Sequence, residues 1–289
     1  MISNNRQTYS KNLIFWLITL NALGYIATIL LLSPKIITSF FMQFFMLGNI
    51  QNIVTFSLNI FVGLALFYTY YKIISGIVVI VKKIRATSIF LKNLKINTNK
   101  ANYTIFSSIQ NQAFTAGLIH PHIYISSTLL KSSTNSELKA IIFHEQTHQL
   151  HHDPLKDLLI NFFQSITPSF PGKITIFNHY FLLSEIAADN VAKAELHTVV
   201  PLLTALNKIL LTNNHLAIVA SHFSATTARI QMLVGNKTIN SRRIVFNNFI
   251  LSALLIVSFT IISHTTIFTE CHHLLACFST LFHNTNCLH

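Results

Sequence analysis

Apolar and polar positions divide the chain into three uncharged hydrophobic blocks and one mixed middle region. Residues 12–34 carry no charge and are long enough for a membrane helix, which needs about 20 apolar residues. No small-x-small cleavage site follows, so the block reads as an anchor rather than a removable signal. Residues 36–71 are again uncharged. Within them 36–47 is too short to cross alone, whereas the run from 53 stays apolar to 81, broken only by Lys72. A third block covers 244–269.

The middle has other periods. Residues 104–109, 113–118 and 122–126 are short β-favouring runs separated by Asn111-Gln112 and Pro121, which predicts a small sheet. One of the last two runs is expected to be an exposed sheet edge. A helix is predicted from Ser136 to about Leu150, capped by Asn135 or Ser136. Residues 158–183 are largely apolar but broken by Pro168, Pro171 and Gly172, as in a helical hairpin. That hairpin either lies against the membrane or belongs to the domain core. The fold class expected is α+β, mainly helical. Its parts are a membrane region with two spans (1–81), a central domain (82–243), and a last span with a short tail (244–289).

Composition supports the membrane. Only 10% of residues are charged and 51% are hydrophobic, against about 25% charged in an ordinary soluble protein. The net charge of +12 does not point to nucleic acid, because no basic-aromatic interleaving or known binding module is present. The basic residues flank the apolar blocks instead. Arg6 and Lys11 precede the first, Lys82, Lys83, Arg85, Lys92, Lys95 and Lys100 follow the second, and Arg242 and Arg243 abut the third. By the positive-inside rule this predicts a multi-pass cell-membrane protein with residues 82–243 in the cytoplasm and the tail outside. Cys271, Cys277 and Cys287 all lie in that tail, where a disulfide or three free thiols are equally open. His272, His273 and His283 beside them match no standard metal spacing.

Seven of the eight acidic residues fall between Glu137 and Glu195, and chemistry concentrates there. His144-Glu145-Gln146-Thr147-His148 is an HExxH motif on the predicted helix. Residues four apart share a helix face, so both imidazoles can reach one zinc while Glu145 meets the water it polarises. A catalytic zinc needs a third protein ligand. Glu185, thirty-seven residues after His148, is the candidate. Asp189, one turn later, is placed to accept the second N–H of a ligating imidazole, as outer carboxylates do at metal sites. Asp153 either does the same for His148 or merely ends the helix before Pro154.

The stretch 113–126, the helix opening Ser136-Glu137-Leu138, the His148-to-Asp153 spacing and the Glu185/Asp189 pair resemble the zinc-peptidase domain of the BlaR/MecR antirepressor family. That domain is similar in turn to the HtpX and CAAX prenyl-protease membrane peptidases. The resemblance covers roughly residues 100–235. It implies a gluzincin-like fold, a Zn2+ cofactor, a protein or peptide substrate and an active site at the cytoplasmic face. It also implies His222 and Arg229 as a late His/Arg pair at the site. Their spacing is one residue longer than in relatives and no Pro follows the His, so His222 as a plain loop residue stays open. The function expected is a zinc-dependent endopeptidase embedded in the membrane, with a role in regulatory proteolysis. A zinc-binding signalling protein without turnover, which would not require Glu145, is the alternative, and a homodimer is left open.

Overall fold

A computed structural model of the protein describes residues 2–45, 50–100, 102–167, 173–212 and 229–233. Two long antiparallel helices, α1 (Ile2–Phe45) and α2 (Ile50–Asn93), come first. Expected to stop at Pro34, the first helix runs through it. Proline has no N–H for the carbonyl four residues back, here Leu30. The Ser33 hydroxyl, which Tyr70 of α2 also contacts at 3.0 Å, lies 3.4 Å from that carbonyl and donates to it. Such side-chain rescue is how apolar helices tolerate proline.

The second helix also outruns the expected limit at 81 and continues to Asn93. Its stretch Gly63–Asn93 is the one segment among the described residues long and apolar enough to cross a membrane, with a mean hydropathy of 1.8. The span expected at 244–269, the tail cysteines and His222 lie outside the described residues.

The sheet follows: β1 (Ile96–Asn99), β2 (Thr104–Phe106), β3 (Ala113–Ala116) and β4 (His122–Ser126), in the order β1-β2-β4-β3. β2 and β4 are parallel and the two outer pairs antiparallel. Of the two runs that might have formed an edge, β4 is internal and β3 is the edge. The turn after β3 depends on Gly117, whose φ is +112° and where a Cβ would sit 2.5 Å from the His120 carbonyl oxygen. β1 was not foreseen: its four residues are all exposed, so no buried face marks it in the sequence.

α3 (Ser127–Ser132) leads to α4 (Asn135–Leu150). The cap of α4 is Thr134, not Asn135 or Ser136, because only Thr134 closes a capping box. Its hydroxyl accepts from the Glu137 N–H, and the Glu137 carboxylate accepts from the Thr134 N–H at 2.7 Å. α5 (Asp153–Ile166) and α6 (Lys173–Leu196) form a helical hairpin, and α7 (Val200–Thr212) packs on α4. The hairpin buries Ile160, Phe163, Tyr180 and Leu183 against Ile14, Phe15 and Ala22 of α1. α5 approaches α2 at Gly76, where an added Cβ would lie 3.1 Å from Ile166 and 3.3 Å from Phe162. Small residues permit such close helix contacts. One apolar core therefore joins the long helices to the helices that carry the chemistry.

Candidate metal centre

Helical spacing puts His144 and His148 on one face of α4, and their Nε2 atoms face each other 3.2 Å apart. From α6, Glu185 reaches the same point. Its Oε2 lies 3.5 Å from His144 Nε2 and its Oε1 3.6 Å from His148 Nε2. A tetrahedral zinc with bonds of about 2.0–2.1 Å holds its ligand atoms roughly 3.3 Å apart. The spacing of the two nitrogens fits that geometry, and each imidazole has one oxygen of the Glu185 carboxylate within 3.6 Å.

The outer contacts of the rings fit it too. His144 Nδ1 lies 2.9 Å from Asp189 Oδ1, and His148 Nδ1 lies 2.7 Å from Asp153 Oδ2. A proton on His148 Nδ1 is hydrogen-bonded to Asp153 and one on His144 Nδ1 faces the Asp189 charge, which leaves both Nε2 atoms as lone pairs aimed at one point. Two lone pairs and a carboxylate at this spacing repel unless a proton or a metal cation sits among them.

Charge at the site tells the same story in the metal-free state. Burial would lower the pKa of His144, but its contacts with Asp189 and Glu185 prevail and raise it to about 10. His148 is raised as well, Asp153 and Glu185 outweighing burial. Burial pushes the Glu185 and Asp189 carboxyls up, yet the Arg229 guanidinium and the imidazoles hold both below their usual range. Arg229 earns this effect by contact. Its Nη1 is 2.8 Å from Glu185 Oε2, while Nε and Nη2 hold Asp189 as a fork at 2.8 and 2.7 Å.

Glu145 lies on the same wall, 9% exposed. The Thr115 hydroxyl of β3 is 2.8 Å from its Oε2 and 2.9 Å from its backbone carbonyl, two acceptors for one proton. The edge strand thus touches the motif glutamate directly. Ala113, Phe114 and Thr115, the motif residues, Glu185 and Arg229 line a common cavity of about 350 Å³.

Asp153 reaches His148 through a tight turn. His152, between α4 and α5, takes a left-handed conformation (φ 52°), which swings Asp153 back over the preceding helix. Asp153 does not end the motif helix, which stops at Leu150 with His151 as its cap; it opens α5 and holds His148.

Of the candidates, the structure gathers His144, Glu145, His148, Asp153, Glu185, Asp189 and Arg229 around one point. It also places there residues that the motifs did not flag: Lys11, Thr115, Ser184 and Asp157. Only Asp157 carried a signal, being one turn after Asp153 in a chain with few acids. It lines the cavity, and its Oδ1 has no hydrogen-bond partner among the described residues. Burial, then the neighbouring Asp153, pushes its carboxyl up to about 7.

Among the described residues, His144, His148 and Glu185 form the group able to hold a metal ion. A search of curated proteins gives no match. The family model of the BlaR1 peptidase M56 matches residues 42–233, about two thirds of the sequence and every residue of this site except Lys11, so the chain belongs to that metal-dependent peptidase family.

Proposed function

We propose that the chain is a membrane-embedded zinc endopeptidase with His144, His148 and Glu185 as ligands and Glu145 as general base. The observation that carries this reading is the convergence of two imidazole nitrogens and the Glu185 carboxylate, one ligand atom from each lying within 4.8 Å of the others, with both imidazoles backed by buried carboxylates. Bound there, zinc supplies Lewis acidity, making water acidic near neutral pH and polarising the scissile carbonyl. Glu145 takes the proton of the attacking water and returns it to the leaving amine. Thr115 fixes the rotamer of Glu145 by hydrogen bonding to Oε2. Asp189 and Asp153 keep the imidazole protons on Nδ1, and Arg229 holds Glu185 and Asp189 in register.

An extended protein segment pairs with the free edge of β3 by backbone hydrogen bonds, which delivers its carbonyl to the cavity beside Glu145. The substrate is therefore a protein chain recognised mainly by backbone, and its hydrolysis serves regulatory proteolysis. The gluzincin-like fold belongs to the same reading, as does the membrane setting. Outward-facing Phe61, Leu64 and Phe67 on α2 are 71%, 63% and 74% exposed, which suits contact with lipid. Lys82, Lys83 and Arg85 then mark the cytoplasmic end, with the site on that side.

The test is proteolysis by the purified full chain and its Glu145→Gln variant, with zinc measured in both. The variant should keep its zinc and lose about 10²–10⁴-fold in activity, the usual worth of a general base. Zinc-loaded wild-type protein that cleaves no peptide bond in any protein substrate, or a fully active variant, refutes the assignment.

A further inference from the structure

We propose that Lys11, on the first helix, is a positioning residue of the metal centre: it fixes Asp153, and through Asp153 it fixes the ligand His148. The inference rests on the zinc reading of His148. Lys11 lies 142 positions from Asp153 in sequence, yet its Nζ sits 2.7 Å from Oδ1 and 2.6 Å from Oδ2. Both side chains are shut away from solvent, at 1% and 2% exposure. Ser184 of α6 donates to the same Oδ2 at 2.9 Å, and His148 Nδ1 lies 2.7 Å from it. Asp153 is thereby the hub of a buried node that joins α1, α4, α5 and α6.

Lys11 looks in sequence like one more basic flank of an apolar block. Its surroundings differ from those of the other flanking charges. Lys82, Lys83, Arg85 and Lys92 are all exposed, as residues that anchor a helix at a membrane surface are. Lys11 is instead inside the protein, one turn before Ile14 and Phe15, which are buried against Phe163, Tyr180 and Leu183. That packing fixes the height of α1 along the hairpin and so the position of Nζ.

The geometry explains why the position matters. Asp153 Oδ2 serves His148 and Ser184, while Oδ1 has Lys11 as its hydrogen-bond donor. The bidentate grip leaves the carboxylate one orientation, and in that orientation Oδ2 meets Nδ1 of His148. Without Lys11 the carboxylate can rotate and the imidazole loses its fixed partner. Outer carboxylates of this kind typically control metal affinity by about 10–100-fold. The first helix thus completes the metal site as well as anchoring the chain, and a shift of α1 along the hairpin acts directly on a metal ligand.

Zinc affinity by chelator competition, and the visible spectrum of the cobalt(II)-loaded protein, test this in the full-length chain. Lys11→Met should weaken zinc by about 10–100-fold and alter the cobalt spectrum, and Lys11→Arg should restore most of both. Leu13→Ala, on the same helix but exposed and outside the packing that sets Nζ, should leave the spectrum unchanged. In a double-mutant cycle, Lys11→Met added to Asp153→Asn should cost nothing further. Where Lys11→Met does not fold, Lys11→Gln takes its place with the same expectations. Zinc affinity within twofold of wild type, additive losses in the cycle, or an equal spectral change in Leu13→Ala would each overturn the proposal. If wild-type protein binds no zinc at all, the metal reading itself falls, and this inference with it.

Discussion

Zinc binding should strengthen steeply as pH rises. In the metal-free protein His144 titrates at about 10 and His148 above its ordinary value, while Glu185 and Asp189 are already ionised at neutral pH. Among the three ligands the metal must therefore displace protons from the imidazoles and not from Glu185. At pH 7 a group with a pKa near 10 is deprotonated in only about one molecule in a thousand, and removing that proton costs about 4 kcal/mol. His148, raised as well, adds a second proton. The apparent zinc association constant should thus rise by roughly one to two log units per pH unit between pH 6 and 9. Titration calorimetry in buffers of different ionisation enthalpy counts the released protons directly. Stability of the metal-free protein should move the opposite way. A His pKa raised from 6.5 to about 10 contributes at most about 5 kcal/mol, fully present below pH 6.5 and lost as pH climbs through 10. The metal-free protein should therefore melt lower at pH 9 than at pH 7, and the zinc-loaded protein should not. A flat affinity profile with no proton release would refute the charge account of the site.

Further outcomes follow from single contacts. Arg229→Met strips Asp189 and Glu185 of their shared cation and should destabilise the metal-free protein by about 3–5 kcal/mol in chemical denaturation; a loss below about 1 kcal/mol contradicts the clamp. Asp157→Asn should stabilise the protein, because a carboxyl whose pKa rises from 3.8 to about 7 on folding opposes folding above pH 4. The gain in melting temperature should grow between pH 4 and 7, and a pH-independent gain would discredit it. Thr134→Ala breaks the capping box of α4 and should cost about 1 kcal/mol without changing metal content. A cysteine at exposed Ser132, in a chain with its native cysteines replaced, should resist an impermeant reagent in intact cells; ready labelling would place the domain outside.

The metal site was legible where its parts are local. HExxH needs only helical spacing, and Glu185 and Asp189 stood out because acids are scarce. Even the turn from His148 to Asp153 is short enough to suggest contact. What escaped detection depends on tertiary packing. Lys11 is indistinguishable in sequence from Lys82 or Lys83, since burial rather than residue type separates them. Thr115 lies thirty residues before Glu145, on a strand whose pairing fixes the contact. Pro34 reads as a helix end because the residues that compensate for it are a neighbouring serine and a tyrosine on another helix. The cap of α4 was missed by one position, since Thr134, Asn135 and Ser136 are all good cap residues and only the reciprocal bond with Glu137 chooses among them.

The central claim is that His144, His148 and Glu185 hold one metal ion. Elemental analysis of the purified full-length protein and its His148→Ala variant tests it most directly. One zinc per chain in the wild type and none in the variant is the predicted result. Stoichiometric zinc retained by His148→Ala, or none in the wild type, would contradict it.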